Sequence, residues 1–303
     1  MRWFAIALVT LGACSDASSD AKGTPAREFK SPDEAASALV QAAEKFDEPG
    51  LIQILGSAGK PLVTSKDQVA DRKNAVDFAA MAREHKRIEM DSSGTRATIV
   101  VGPFDWPLPI PLVKDGNNWH FDSEAGAEEV LARRIGENEL DAIAVCRGYV
   151  DAQREYARTR HDGARVNQYA QHIISTPGKR DGLAWKDPDG SWHGPVGEGV
   201  ARAIQEGYNE KIEPFHGYYY KILKGQGPAA PLGQLDFVVD SAMIGGFALV
   251  AAPADYLVSG VKTFIVSHDG IVYEKDLGPE TLKAFQAMER YNPDSTWTRV
   301  TAN

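Results

Sequence analysis

Two separate stretches of this chain gather side chains of the kind that bind or react. Residues 175–185 hold Lys179, Arg180 and Asp181, with Trp185 close behind, and residues 215–220 hold His216 with Tyr218 and Tyr220. The cations, the acid and the imidazole supply donors and titratable groups. The indole and the phenols supply flat faces, so the set suits gripping a sugar, a peptide or an anion. His216 could also serve a hydrolase as general base, given a carboxylate or nucleophile within hydrogen-bond reach in a cleft. The competing reading is that Tyr218 and Tyr220, two apart, line one face of a strand and the loop packs over it.

Other constellations are weaker. His120 and Asp122 share one side of a strand and could orient an imidazole or hold a cation, but read as a strand-end contact. Asp187-Pro188-Asp189-Gly190 has calcium-like carboxylate spacing without a downstream bidentate glutamate, and reads as a turn. Gly225-Gln226-Gly227-Pro228-Ala229-Ala230 fits a dinucleotide fingerprint, yet Pro228 and Pro231 stop a helix from starting where a pyrophosphate would need its amides. Phosphate-loop, zincin and nucleophile-elbow motifs are missing from the 303 residues. No cofactor or metal is expected. Two cysteines exclude a disulfide framework and a thiolate zinc site.

The elements that must position these residues begin after an export signal. Arg2 precedes the apolar run of residues 3–11, which is too short to cross a bilayer, and Leu11-Gly12-Ala13-Cys14 resembles a bacterial lipobox. That resemblance implies cleavage after residue 13 and acylation of Cys14, and Ser15 after the cysteine implies the outer membrane. The protein is therefore expected on the periplasmic side of that membrane, or free in the periplasm if Cys14 is not acylated. Two or more acyl chains make a stable anchor. Residues 15–27 carry no apolar side chain larger than alanine or proline and read as a flexible tether. The formal charge of −9 becomes −10 once Arg2 leaves with the signal, which disfavours nucleic acid as a partner. The expected partners are the membrane, through the lipid, and an envelope protein, peptide or glycan.

The mature chain reads as α+β, with helices and strands in blocks. Ser31-Pro32-Asp33-Glu34 opens a helix through a capping box. Pro49-Gly50 breaks it before an apolar turn at residues 51–55, and residues 66–87 form a charged helix with Val69, Val76, Ala80 and Met81 facing inward. Residues 95–101 are a strand, and residues 108–114, bearing Pro109 and Pro111, must be an edge or bulged strand. The turn at residues 115–118 leads into Trp119-His120-Phe121. Residues 124–158 form one long helix with Gly136 as a point of bending, and Cys146 on its apolar stripe is expected buried and inert. A long loop follows at residues 159–191, with a helical turn at 169–174. Strands at 217–223, 236–239, 247–252, 262–266 and 271–274 precede a helix at 279–290. The modules are taken as residues 29–123, an N-terminal cone-like meander with helices, and 124–303, a spine helix with an antiparallel sheet.

Helices followed by a meander ending in Trp-x-Phe resemble the cone-shaped nuclear transport factor 2 fold. Over nearly the whole mature chain the sequence resembles the bacterial family of unknown function numbered 2950. The likeness is carried by Asp105-Trp106-Pro107, the run from Pro109 to Gly116, Tyr149 to Tyr156, Ser175 to Leu183, Met243 to Val250 and Tyr273 to Gly278. It implies an exported protein without naming a chemistry. The C-terminal part, ending Phe264 to Tyr273, is also similar to pilin and pseudopilin heads, but the spine helix here is charged and internal, which implies no filament packing. The reading that results is a non-catalytic binding or scaffolding component of the envelope. The alternative is a periplasmic hydrolase using the loop at residues 175–185 and His216.

Overall fold

The computed structural model describes residues 24–206 and 214–301. The expected signal, Cys14 and the tether as far as residue 23 lie outside the described residues. The architecture is α+β. Ser31 caps α1 (Pro32–Lys45) by accepting from the Glu34 N–H at 3.2 Å. Glu34 closes the box on the N–H of Lys30, one residue earlier than expected. Asp47 caps α2 (Glu48–Leu55) in the same way, accepting from Gly50 N. Pro49-Gly50 thus lies inside the first turn of a helix, where proline needs no amide partner, and the sequence reading of a break there is corrected. After α3 (Lys60–Val63) comes α4 (Gln68–Glu84).

These helices cover a sheet made of β1 (Lys86–Met90), β2 (Arg96–Val101), β4 (Leu112–Asp115) and β5 (Asn118–Phe121) in that order, with β3 (Trp106–Pro107) also on β2. Every pairing is antiparallel. Ala97, Ile99 and Val101 alternate inward from β2 and are almost fully buried. Phe29 adds to the sheet edge by exchanging two 2.8 Å backbone bonds with Trp119. Together with Leu39, Leu51, Leu55, Leu112 and Phe121 these side chains make the first hydrophobic core.

Helix α5 (Ser123–Tyr156) runs 34 residues, about 51 Å at 1.5 Å per residue. Asp122 caps it by accepting from Ala125 N, which is the use the structure makes of the His120/Asp122 pair. Ala127, Val130 and Leu131 pack on the first core. Ala142, Cys146, Tyr149, Val150 and Tyr156 belong to a second core. That core lies against the antiparallel sheet of β9 (Tyr218–Leu223), β14 (Ala248–Pro253), β15 (Lys262–Ser267), β16 (Val272–Asp276) and β17 (Thr298–Arg299), ordered β17-β16-β15-β14-β9. Helix α6 (Gly197–Glu206) precedes β9 in the chain, the short pairs β10 (Gly225–Gln226) with β11 (Leu235–Asp236) and β12 (Val238–Val239) with β13 (Ala242–Met243) fall between β9 and β14, and helix α7 (Thr281–Ala287) packs against β14. Cys146 is fully buried, and burial pushes its thiol up to about 12, so it is an inert core residue.

Four sequence expectations are corrected by packing. Val76, Ala80 and Met81 are exposed, because α4 turns Ala79 and Ala82 inward where α1 comes close. Lys86 and Arg87, expected at the end of the charged helix, open strand β1 instead. Pro109 and Pro111 precede β4, so an internal strand pairs on both sides without a proline in its ladder. Residues 172–174 are strand β6 (His172–Ile174), parallel to β7 (Gly182–Lys186), which pairs with β8 (Trp192–His193). The expected helical turn there gives way to Ile173-Ile174, whose β-branched side chains favour the sheet.

Two glycines on α5 have opposite surroundings. A Cβ on Gly126 would stand 2.6 Å from Ile110 Cα and 2.8 Å from Pro109 O, whereas one on Gly136 meets nothing within 4 Å. Gly126→Ala is therefore expected to destabilise by about 1–3 kcal/mol through backbone overpacking, and Gly136→Ala to stabilise by up to about 1 kcal/mol through helix propensity. Urea unfolding of the two variants beside the wild type checks both signs.

Candidate functional site

His216 stands where the two cores meet. It holds φ +49, in the left-handed region, and is followed by Gly217 at φ +74. This bend carries the chain into β9 and aims the imidazole at α5, where Nδ1 contacts Asp141 Oδ2. The Phe215 ring lies 4.2 Å away. Gly217 N donates to the carboxylate of Asp67 at 2.8 Å, and that carboxylate also caps α4 by accepting from Ala70 N at 3.0 Å. Neighbouring bonds extend the seam. Lys66 bridges to Asp255 at 2.9 Å, Asn138 donates to Ser259 O, and Glu139 accepts from Val261 N and Lys262 N.

Tyr218 and Tyr220 lie on β9 opposite Pro253 and Ala251 of β14. Tyr218 is wholly buried and donates to Lys262 O at 2.9 Å, and burial first, then the charge of Glu139, raises its phenol. Tyr220 is half-buried against the second core.

The loop residues gather elsewhere, at the C-terminal end of α5. Tyr156 OH donates to Arg180 O at 2.5 Å, and the Tyr156 ring stacks on His161 at 4.0 Å. Burial, aided by the charges of Asp162 and Asp181, pushes the Tyr156 phenol up to about 12. Arg180 donates its N–H to Asp162 and lays its guanidinium over the half-buried Trp185, 5.3 Å from the ring centre. Burial pushes Asp181 up, but bonds from the N–H and hydroxyl of Thr176 together pull it below the usual carboxylate range. Lys179 is exposed, and its N–H closes the turn onto Thr176 O. Ser175 Oγ accepts from Gly182 N at 2.9 Å. The loop is thus held together by the groups that looked reactive in sequence.

Fifteen residues of α5 separate Asp141, beside His216, from Tyr156, beside Arg180. That is about 22 Å of helix. The structure therefore brings Lys179, Arg180, Asp181 and Trp185 together, brings His216, Tyr218 and Tyr220 together, and keeps the two groups apart. The Ser191, His193 and Asp187 trio on the β7–β8 turn is not a relay. Both Ser191 Oγ, at 2.9 Å, and Asp187, at 3.4 Å, meet the same ring nitrogen, Nε2, whereas a relay needs opposite nitrogens. No cluster of three or more metal-ligating side chains occurs among the described residues.

Concavities lie elsewhere. One of about 370 Å³ borders the seam between residues 253–256 and 279–283, with Lys66 on its edge. Another, of about 350 Å³, opens into the first core between α4, α5 and β3. Leu39, Leu51, Leu55, Leu62, Leu108 and Ile110 form its walls. Sequence reasoning missed this cleft because its lining comes from six segments of the chain with no local motif. Sequence reading begins the charged helix at residue 66 and so misses Asp67 as the cap of α4, and the second donor to that carboxylate lies 150 residues on.

The site and fold define an α+β chain with two hydrophobic cores bridged by one helix. The chain belongs to the DUF2950 family, proteins of unknown function, whose profile matches residues 26–300. No curated protein and no solved structure matches it.

Asp67 is 3% exposed and serves both cores. Asp67→Ala is expected to cost roughly 2 kcal/mol or more, combining a lost cap with a lost charge-assisted bond. Thermal unfolding checks this, and hydrogen exchange at Gly217 should quicken in the same variant.

Proposed function

We propose that this chain is an exported bacterial envelope protein, anchored through acylated Cys14, that acts as a non-catalytic binding or scaffolding component. The observation that carries this reading is the contrast between the 350 Å³ apolar cleft, a size and lining suited to small-molecule binding, and the polar candidates, which are engaged in holding loops. The lipobox-like Leu11-Gly12-Ala13-Cys14 and the short apolar run before it support the anchor.

The hydrolase reading draws on the His216–Asp141 contact, which resembles an oriented general base. It is weakened by the placement of Ser175, bonded to Gly182 N at the far end of α5. Mass spectrometry of protein extracted from membranes, wild type beside Cys14→Ser, is expected to find acyl chains on the N-terminal cysteine of the wild type alone. An unmodified chain beginning at Cys14 would overturn the anchor. Incubation with ester, peptide and glycoside reporters is expected to give no turnover above that of His216→Ala, and turnover abolished by that substitution would overturn the non-catalytic reading.

A further inference from the structure

The cleft in the first core has polar groups in its wall, and they are already satisfied from within the protein. Arg134 donates to Pro61 O and Leu62 O at 2.8 and 2.7 Å, and lies 3.8 Å from Asp71. Asp71 accepts from Ser65 N and Ser65 Oγ at 2.5 and 3.1 Å. A polar ligand entering the cleft would lose its water and find these groups taken, which costs free energy. A hydrocarbon entering it would gain from every apolar Å² removed from water.

The rim differs from the walls. Asn74, Asp77, Arg133 and Glu137 surround the opening, so charges of both signs face whatever protrudes. Arg133 pairs with Glu129 and lies 5.0 Å over the Trp106 ring. Met81 and Trp106, also on the rim, are each 37% exposed, and Phe104, two residues from Trp106, is 94% exposed. The turn bearing Phe104 rests on the rim at its other end too, since a Cβ on Gly102 would touch Met81 at 3.6 Å. Exposed apolar side chains clustered at the mouth of an apolar cleft suit contact with a lipid surface.

We propose that this cleft takes one acyl chain of a membrane phospholipid, leaving the headgroup among the charges of the rim, with Phe104 and Trp106 meeting the bilayer from which the chain is drawn. This names the ligand class for the binding role proposed above and rests on that role. The entry of the chain into the fold agrees with it. Ser57 N holds Thr24 O at 2.9 Å beside the helices that supply Leu51, Leu55, Leu62 and Val63 to the cleft. The ten residue steps from Cys14 to Thr24 reach at most about 35 Å, so an anchored protein keeps the cleft near the membrane.

The test uses the full mature chain, wild type and Cys14→Ser, with vesicles of phosphatidylethanolamine and phosphatidylglycerol containing a parinaroyl phospholipid. Saturable uptake of the fluorescent lipid is expected in both proteins. Ala75→Trp, which fills the cleft, is expected to weaken uptake about tenfold or more. Met81→Glu, on the exposed rim, should weaken it likewise with an unchanged melting temperature. Phe104→Ser should slow transfer from vesicles without changing the saturation level. No uptake, or uptake indifferent to both Ala75→Trp and Met81→Glu, overturns the inference and leaves the non-catalytic reading standing. Uptake by Cys14→Ser alone overturns the membrane source in favour of the protein's own acyl chain. Lipid recovered intact supports both readings, whereas lipid recovered cleaved supports the acyl site and overturns the non-catalytic role.

Discussion

A buried carboxyl group is costly unless its oxygens are filled with donors, and Asp67, almost wholly buried, meets that demand from two directions. One oxygen takes the Ala70 amide at the start of α4, and the other takes the Gly217 amide at the entrance to β9. The first donor belongs to the helical layer around the first core and the second to the sheet of the second core. Each half of the chain thus supplies one of these two amides. Gly217 must also be glycine for this to work, because its φ is +74 and a Cβ would stand 3.0 Å from Ser259 Cβ.

The long helix answers the same constraint along its length. Its first third is apolar toward the first core and its last third toward the second. Between them Arg134, Asn138 and Glu139 bond to backbone groups of the helical layer and of residues 259–262. A helix that were apolar throughout would leave those carbonyls and amides without partners at the seam. The polar middle therefore joins the two cores by direction-specific bonds, and it places Asp141 where His216 turns in.

This arrangement explains why the residues that look most chemical do structural work. Asp181, Arg180 and Ser175 supply the bonds that a loop of that length needs to hold one conformation over Trp185. Tyr218 fills the second core and satisfies its hydroxyl on the Lys262 carbonyl of β15, two strands away. The feature with the shape of a binding site is instead built from leucines, an isoleucine and a few rim charges, residue types that carry no signal when read one segment at a time.

Local physics was legible in the sequence. Ser31 reads as the start of the helix it caps, the turn after Asp115 is legible from Gly116, and Cys146 falls on the buried stripe of α5, because caps, turns and helical stripes depend on neighbours within a few residues. Reading failed where the deciding partner was distant. Val76, Ala80 and Met81 read as inward on α4, but close packing against α1 selects Ala79 and Ala82. Lys86 and Arg87 read as the end of a helix until β2 offers them a ladder, and His172–Ile174 becomes a strand only because β7 lies beside it. The same distinction holds for function. The sequence alone determines the α+β class, the lipobox-like start and the family, since these are written in contiguous residues. Only the tertiary structure decides that His216 and Arg180 stand at different places along α5, and that residues from Leu39 to Glu137 enclose one apolar cleft, because both depend on which surfaces are left facing one another when the two cores close.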